Sequence, residues 1–174
     1  MKRLAPNAGW VAPISAPVRV AVRVVVGARR GGEYGRMLEE EARRRIAAAR
    51  VGRLASVDAN GRPHVVPICF AMSGDQVVSV VDGKPKRTLQ LRRLENVRRT
   101  PDVQLMVDYY DDDWSLLWWV RLLGRGRVIE HGAAREEAVD LLAAKYGQYR
   151  EDRPTGPVLL IEITRISSWQ ATTS

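Results

Sequence analysis

Asn60-Gly61 stands between two runs rich in apolar and β-branched residues, "RLASVD" (53–58) and "PHVVPICFAM" (63–72). Both turn residues tolerate the positive φ that a tight antiparallel connection demands, so the pair predicts a β-hairpin. A second turn, Ser73-Gly74-Asp75, precedes "QVVSVVD" (76–82) and extends the prediction to a three-stranded meander. Pro63 and Pro67 cannot donate ladder hydrogen bonds. They place parts of the second strand at an edge, at a bulge or beside a ligand.

The rest of the chain alternates in period. Leu38, Ala42, Ile46 and Ala49 recur at helical spacing over 38–50, with Glu39, Glu40 and Glu41 early and Arg43, Arg44 and Arg45 following. Acids first and bases later suit the helix dipole, and each Glu lies four residues before an Arg. "TLQLRRLENVRRT" (88–100) is a second helix, with Leu91, Leu94 and Val97 on one face and Pro101 as its stop. Strands are predicted at 102–110 and at 116–131, the latter punctuated by Gly124 and Gly126. A helix over 133–149 carries Ala138, Leu141, Leu142 and Tyr146 on one side, and a last strand covers 158–169. About six strands with two or three helices describe a mainly β fold, a small antiparallel barrel with helices packed outside.

The net charge of +8 invites a nucleic-acid reading, but its distribution argues against one. Residues 1–36 hold seven basic side chains against one acid, while the rest of the chain balances 21 against 19. That N-terminal stretch, with prolines at 6, 13 and 17 and "VRVAVRVVVGARRGG", reads as an extension separate from a domain over 37–174, and Met37 is an alternative start. Arg19 and Arg23 interrupt its apolar run, which is neither a clean signal peptide nor a membrane span. Cys69 is the single cysteine, so no internal disulfide forms. A reducing, cytoplasmic location is expected, with neither membrane nor nucleic acid as partner.

His64 and His131 are the only histidines, and no hydrolytic, zinc or phosphate-loop signature occurs. Chemistry is therefore expected from a bound cofactor rather than from a side-chain triad, and no catalytic residue is assigned. In "DGKPKRT" (82–88), Lys84, Lys86 and Arg87 precede a helix whose expected N-cap is Thr88. Cations there oppose the helix dipole unless an anion joins them, so the loop reads either as a phosphate or carboxylate cradle or as a solvated basic loop.

"YYDDDWSLLWWVR" (109–121) sorts by strand parity. Leu116, Trp118, Val120, Leu122 and Val128 face one way, and Trp119, Arg121, Arg125 and Arg127 the other. The first set is a core face; the second suits a planar anionic ligand or a partner subunit. Asp111, Asp112 and Asp113 read as a turn, because adjacent aspartates bond their own backbone more readily than they converge on one ion. No metal site is assigned.

"RVGRLASVDANGRPHVVPICFAMSGDQVVSVVDGKPK", "NVRRTPDVQLMVD" and "DDDWSLLWWVRLLGRGRV" together resemble the pyridoxamine 5'-phosphate oxidase-like superfamily of split-barrel flavoproteins. The resemblance is nearest to its actinobacterial branch that uses the deazaflavin coenzyme F420. It implies a six-stranded antiparallel split β-barrel, a homodimer with cofactor grooves between subunits, and hydride transfer from reduced deazaflavin to a small electron-poor acceptor. The family's phosphate-gripping loop corresponds to Lys84, Lys86, Arg87 and Thr88, and the strand backbone against the ring system to Val65, Val66 and Pro67. Trp119 and Arg121 would line the groove. The superfamily's flavin mononucleotide oxidases carry an Arg-x-x-x-Leu-Lys pattern where this chain reads "RPHVVPI", which argues against pyridoxine phosphate oxidation. The alternatives are a flavin mononucleotide-dependent reductase or oxidase, and a non-catalytic protein that holds a flavin, deazaflavin or haem.

Overall fold

The computed structural model describes residues 34–35, 37–81 and 89–171. In chain order the elements are β1 (Tyr34–Gly35), α1 (Glu39–Ala48), β2 (Gly52–Val57), β3 (Pro63–Ile68), β4 (Ala71–Ser73), β5 (Gln76–Val80) and α2 (Leu89–Arg99). They continue with β6 (Asp102–Tyr109), a 3-10 turn (Trp114–Leu116), β7 (Trp118–Ile129), α3 (Ala133–Lys145), α4 (Gly147–Glu151) and β8 (Val158–Ala171). The strands run in the order β3-β2-β6-β7-β8-β5-β4, with β1 added to β8, and every pairing is antiparallel.

The two edge strands of this order, β3 and β4, are consecutive in the chain and separated only by Cys69 and Phe70. The sheet must therefore curl until its edges come together. That is a split barrel: closed by the covalent chain at one corner rather than by a complete ladder. The run expected as one strand over 63–72 is thus two, because the chain turns the barrel corner at Phe70, whose side chain is fully buried.

Two cores follow from the curl. Leu54, Phe70, Leu105, Val120, Leu122 and Ile163 pack inside the barrel with Ala42 and Ile46 of α1 and Leu94 and Val97 of α2. A second cluster forms where α3 lays Ala138, Val139 and Leu142 on Val78, Val80, Val158 and Leu160, covering the outer side of the β4-β5-β8 half.

Several expectations need correction. Leu38 does not join the apolar stripe of α1: it sits at the N-cap and is exposed, while Met37 takes the core position. Glu39–Arg43 and Glu41–Arg45 pair as the spacing predicts, but Arg44 turns to Glu41 rather than Glu40. Leu116 is not on a strand core face, because the 3-10 turn intervenes and leaves it exposed. The sheet also takes in Tyr34 and Gly35, upstream of the expected boundary at 37. Among the described residues no helix is long and apolar enough to cross a membrane.

Candidate functional site

Strand parity and proline chemistry define the site. The Asp58 N–H donates to the Arg62 carbonyl at 2.9 Å, closing a bonded pair at the hairpin end. Bonded pairs then recur at Ser56/His64, Leu54/Val66 and Gly52/Ile68. The odd residues of β3 consequently aim their backbone N–H and C=O groups away from β2, toward the open edge. Pro63 and Pro67 occupy such positions and sacrifice no ladder bond. Between them, the Val65 N–H is left pointing outward from the edge. The hairpin register is held by Asp58, whose carboxylate accepts from the N–H groups of Asn60 (2.8 Å) and Arg62 (2.9 Å). Those bonds, Arg62's foremost, hold its carboxyl below the ordinary range.

The side chains of the same odd residues point to the outer face of the barrel. Cross-strand pairing continues that face as two rows, Pro67–Arg53–Met106–Arg121–Ser167 and Val65–Ala55–Gln104–Leu123–Arg165. A third row joins Asp108, Trp119 and Trp169. Val65 remains 60% exposed and Leu123 41%, although both lie in the middle of ordered strands. This half of the barrel thus presents apolar side chains and guanidinium groups together on a broad, gently curved surface. Arg121 stacks over the Trp119 ring at 5.4 Å, and Arg53 pairs with Asp108.

Of the expected site residues, Val65, Pro67, Trp119 and Arg121 share this face. Val66 does not: it lies at an even position and packs against the barrel core. Lys84, Lys86, Arg87 and Thr88 lie outside the described residues. Across the sheet, β3 and β7 are separated by three strand spacings, about 14 Å. Sequence reasoning missed Arg53, Met106, Leu123 and Trp169. Parity within their own strands assigns each a face, but only the pairing register brings four strands' residues into common rows.

His64 shows a different signal. Its Nδ1 is buried without a hydrogen-bond partner among the described residues, opposite Ser56, whose hydroxyl accepts from the Asn96 side chain at 3.0 Å. Asn96 lies on α2, which begins directly after residues 82–88. A buried imidazole nitrogen with no partner is costly unless a ligand or water meets it.

The aspartate triplet forms a turn. Asp111 accepts from the Tyr109 hydroxyl (2.7 Å) and from the Asp113 N–H (3.1 Å), and Asp113 accepts from the Ser115 N–H (3.0 Å) and hydroxyl (2.7 Å). Trp118 packs half-buried against the barrel core, on the side parity predicts, with Arg45 stacked on its ring at 4.8 Å.

An antiparallel split barrel with one half sheathed by a helix and the other half left with a half-exposed apolar and cationic face defines the fold class. The sequence matches the pyridoxamine 5'-phosphate oxidase family over residues 38–170, and the chain belongs to that family. Among solved structures it is similar to the conserved hypothetical protein Rv2991 from Mycobacterium tuberculosis, with 18% identity and a TM-score of 0.64 over 82% of this chain and 90% of the other. It is also similar to a FAD-binding protein from Mesorhizobium loti, at 23% identity and a TM-score of 0.56, covering 80% of this chain and 99% of that one. The FAD-binding protein from Mycobacterium smegmatis aligns at 16% identity and a TM-score of 0.51, over 80% and 99%. A search of curated proteins finds no match.

Proposed function

We propose that the chain is an oxidoreductase that binds a flavin-type cofactor on the outer face of β3, with the deazaflavin F420 as the cofactor and a small electron-poor molecule as acceptor. The observation that carries the reading is the open edge of β3, where an outward Val65 N–H lies between two prolines. That edge offers a donor to a polar ring atom, and the Val65 and Pro67 side chains offer an apolar seat for a flat ring. The residues present therefore fit a planar, anionic cofactor. Lys84, Lys86, Arg87 and Thr88 would hold its phosphate. When bound, the cofactor supplies two-electron hydride chemistry.

The protein's own part is to bind, orient and exclude water. Pro63 and Pro67 keep the edge from recruiting another strand. Trp119 and Arg121 lie too far across the sheet to share a ring seated on Val65 of the same chain. Pairing of two copies through their outer faces would bring one copy's Trp119 and Arg121 toward the other's β3 and would cover Val65 and Leu123. A homodimer with two composite sites is accordingly part of the proposal.

A second reading places flavin mononucleotide or FAD in the same groove. It draws on the FAD-binding proteins of similar fold. Equilibrium titration with F420, flavin mononucleotide and FAD separates the two. Tight binding of F420, followed by hydride transfer to quinones or unsaturated lactones, is expected. Tight flavin binding without F420 binding would move the assignment to the second reading, and binding without any turnover would leave a carrier protein.

A further inference from the structure

One end of the barrel has no part in that function, and it is the most apolar exposed surface of the described residues. Of eight large apolar side chains left exposed, five belong to this end: Leu38, Tyr109, Tyr110, Trp114 and Leu116. Leu38 is 79% exposed and Trp114 77%. A groove crosses here in two compartments. One, of about 420 Å³, lies between Arg45, Tyr109, Leu116 and Trp118, and the other, of about 340 Å³, between Leu38, Glu40 and Arg44. Gln170 lines both. Concentrated apolar exposure beside a groove marks a docking surface.

Two observations identify the occupant. First, β1 runs antiparallel to β8, with Tyr34 opposite Ala171 and Gly35 opposite Gln170. On the other side of β8, Gln170 faces Trp118, and the Ala171 N–H donates to the Leu117 carbonyl at 2.9 Å. The N-terminal end of β1 therefore points past Ala171, toward the level of the 3-10 turn and the groove. Second, Asp111, Asp112 and Asp113 form no salt bridge among the described residues, being held only by the turn's own bonds. Residues 10–26 read "WVAPISAPVRVAVRVVV", apolar and interrupted by Arg19 and Arg23, with Arg29 and Arg30 following. The seven residues between Val26 and Tyr34 can span up to about 25 Å, enough to reach either compartment. Two-fold pairing of this end with a second copy about an axis near the turn would instead set aspartate triplet beside aspartate triplet.

We propose that residues 10–26 of the chain dock in the groove of their own domain, with valines and Trp10 on Leu38, Trp114 and Leu116, and arginines against Asp111–Asp113. Amide hydrogen exchange of the full-length chain tests this. Peptides covering 10–26 should exchange roughly tenfold or more slowly than an unstructured reference at low salt, independently of protein concentration. The protection should fall to the reference in D111N/D112N/D113N, in Leu116→Ser and at high salt. Asparagine keeps one acceptor oxygen at each position, enough for the backbone bonds of the turn, and core amides in the same experiment report that each variant folds. Exchange at the reference rate in the unaltered chain overturns the proposal. So does protection that survives both variants, or protection that grows with protein concentration, which would make a second copy the occupant.

Discussion

Tyr146 ties three segments together through one hydroxyl. It accepts from the Phe70 N–H (3.0 Å) and lies 2.7 Å from the Phe70 carbonyl and 2.8 Å from the Arg50 carbonyl, its two acceptors. This is the corner where β3 passes to β4, and its backbone groups have no ladder to join. Tyr146→Phe leaves a buried N–H without a partner, so a loss of about 1–3 kcal/mol is expected in urea unfolding. The helical spacing predicts Tyr146 as a core residue inside one helix over 133–149; it is buried, but α3 ends at Lys145 and Tyr146 takes an extended conformation as its C-cap before α4. The corner it latches is invisible to periodicity, because only the folded chain brings Phe70 to it.

Beside it, burial and then the Arg50 guanidinium push the Lys145 ammonium down from 10.5 to about 8. Its Nζ donates to the Ala49 carbonyl at 2.6 Å and sits 4.4 Å from the Phe70 ring centroid. Between those two pH values the unfolded chain holds a proton that the folded chain has released, so stability should rise with pH across the window. Burial raises the Tyr146 hydroxyl above its ordinary 10, an effect that opposes the trend only beyond that pH. Urea midpoints measured at pH 7, 8.5 and 9.5 should therefore climb, and the slope should vanish in Lys145→Met. A flat profile in the unaltered chain would contradict the placement of this side chain.

At the scale of elements, β7 carries the most information. Its alternation of inward Val120 and Leu122 with outward Trp119 and Arg121 is legible in the sequence, because a pleated strand has a period of two. What periodicity cannot supply is the irregularity at Leu123/Gly124, where Thr164 is the extra residue on β8. A Cβ on Gly124 would meet the Glu162 carbonyl oxygen at 2.5 Å and the Ile161 Cγ2 at 2.7 Å. Backbone cannot yield as a side chain can. Gly124→Ala should cost about 1–3 kcal/mol, readable as a lowered urea midpoint. Alanine at Gly61, where φ is +75° but nothing lies within 4 Å, should cost less and only through backbone strain.

The whole molecule is organised by an asymmetry between the two halves of its barrel. α3 seals one outer side, and the other keeps Val65, Leu123, Trp119 and Arg121 at the surface. If two copies pair through the latter, Leu123→Asp should shift the mass measured by light scattering from dimer to monomer. It should also weaken cofactor binding without disturbing the far-ultraviolet spectrum. A monomeric unaltered chain would sink the composite site, while leaving binding along β3 to be judged by titration.

Local chemistry in the sequence determined the Asn60-Gly61 hairpin, the faces of β7, the helix periods and the aspartate turn, since each depends on residues within a few positions of one another. Family resemblance added the split barrel. The pairing order determined the rest: that β3 is an edge, that Val65 and Pro67 share rows with Arg53, Met106 and Arg121, and that Val66 turns inward. Those relations join residues dozens of positions apart through backbone hydrogen bonds, which are the same for every side chain and leave no local mark on the sequence.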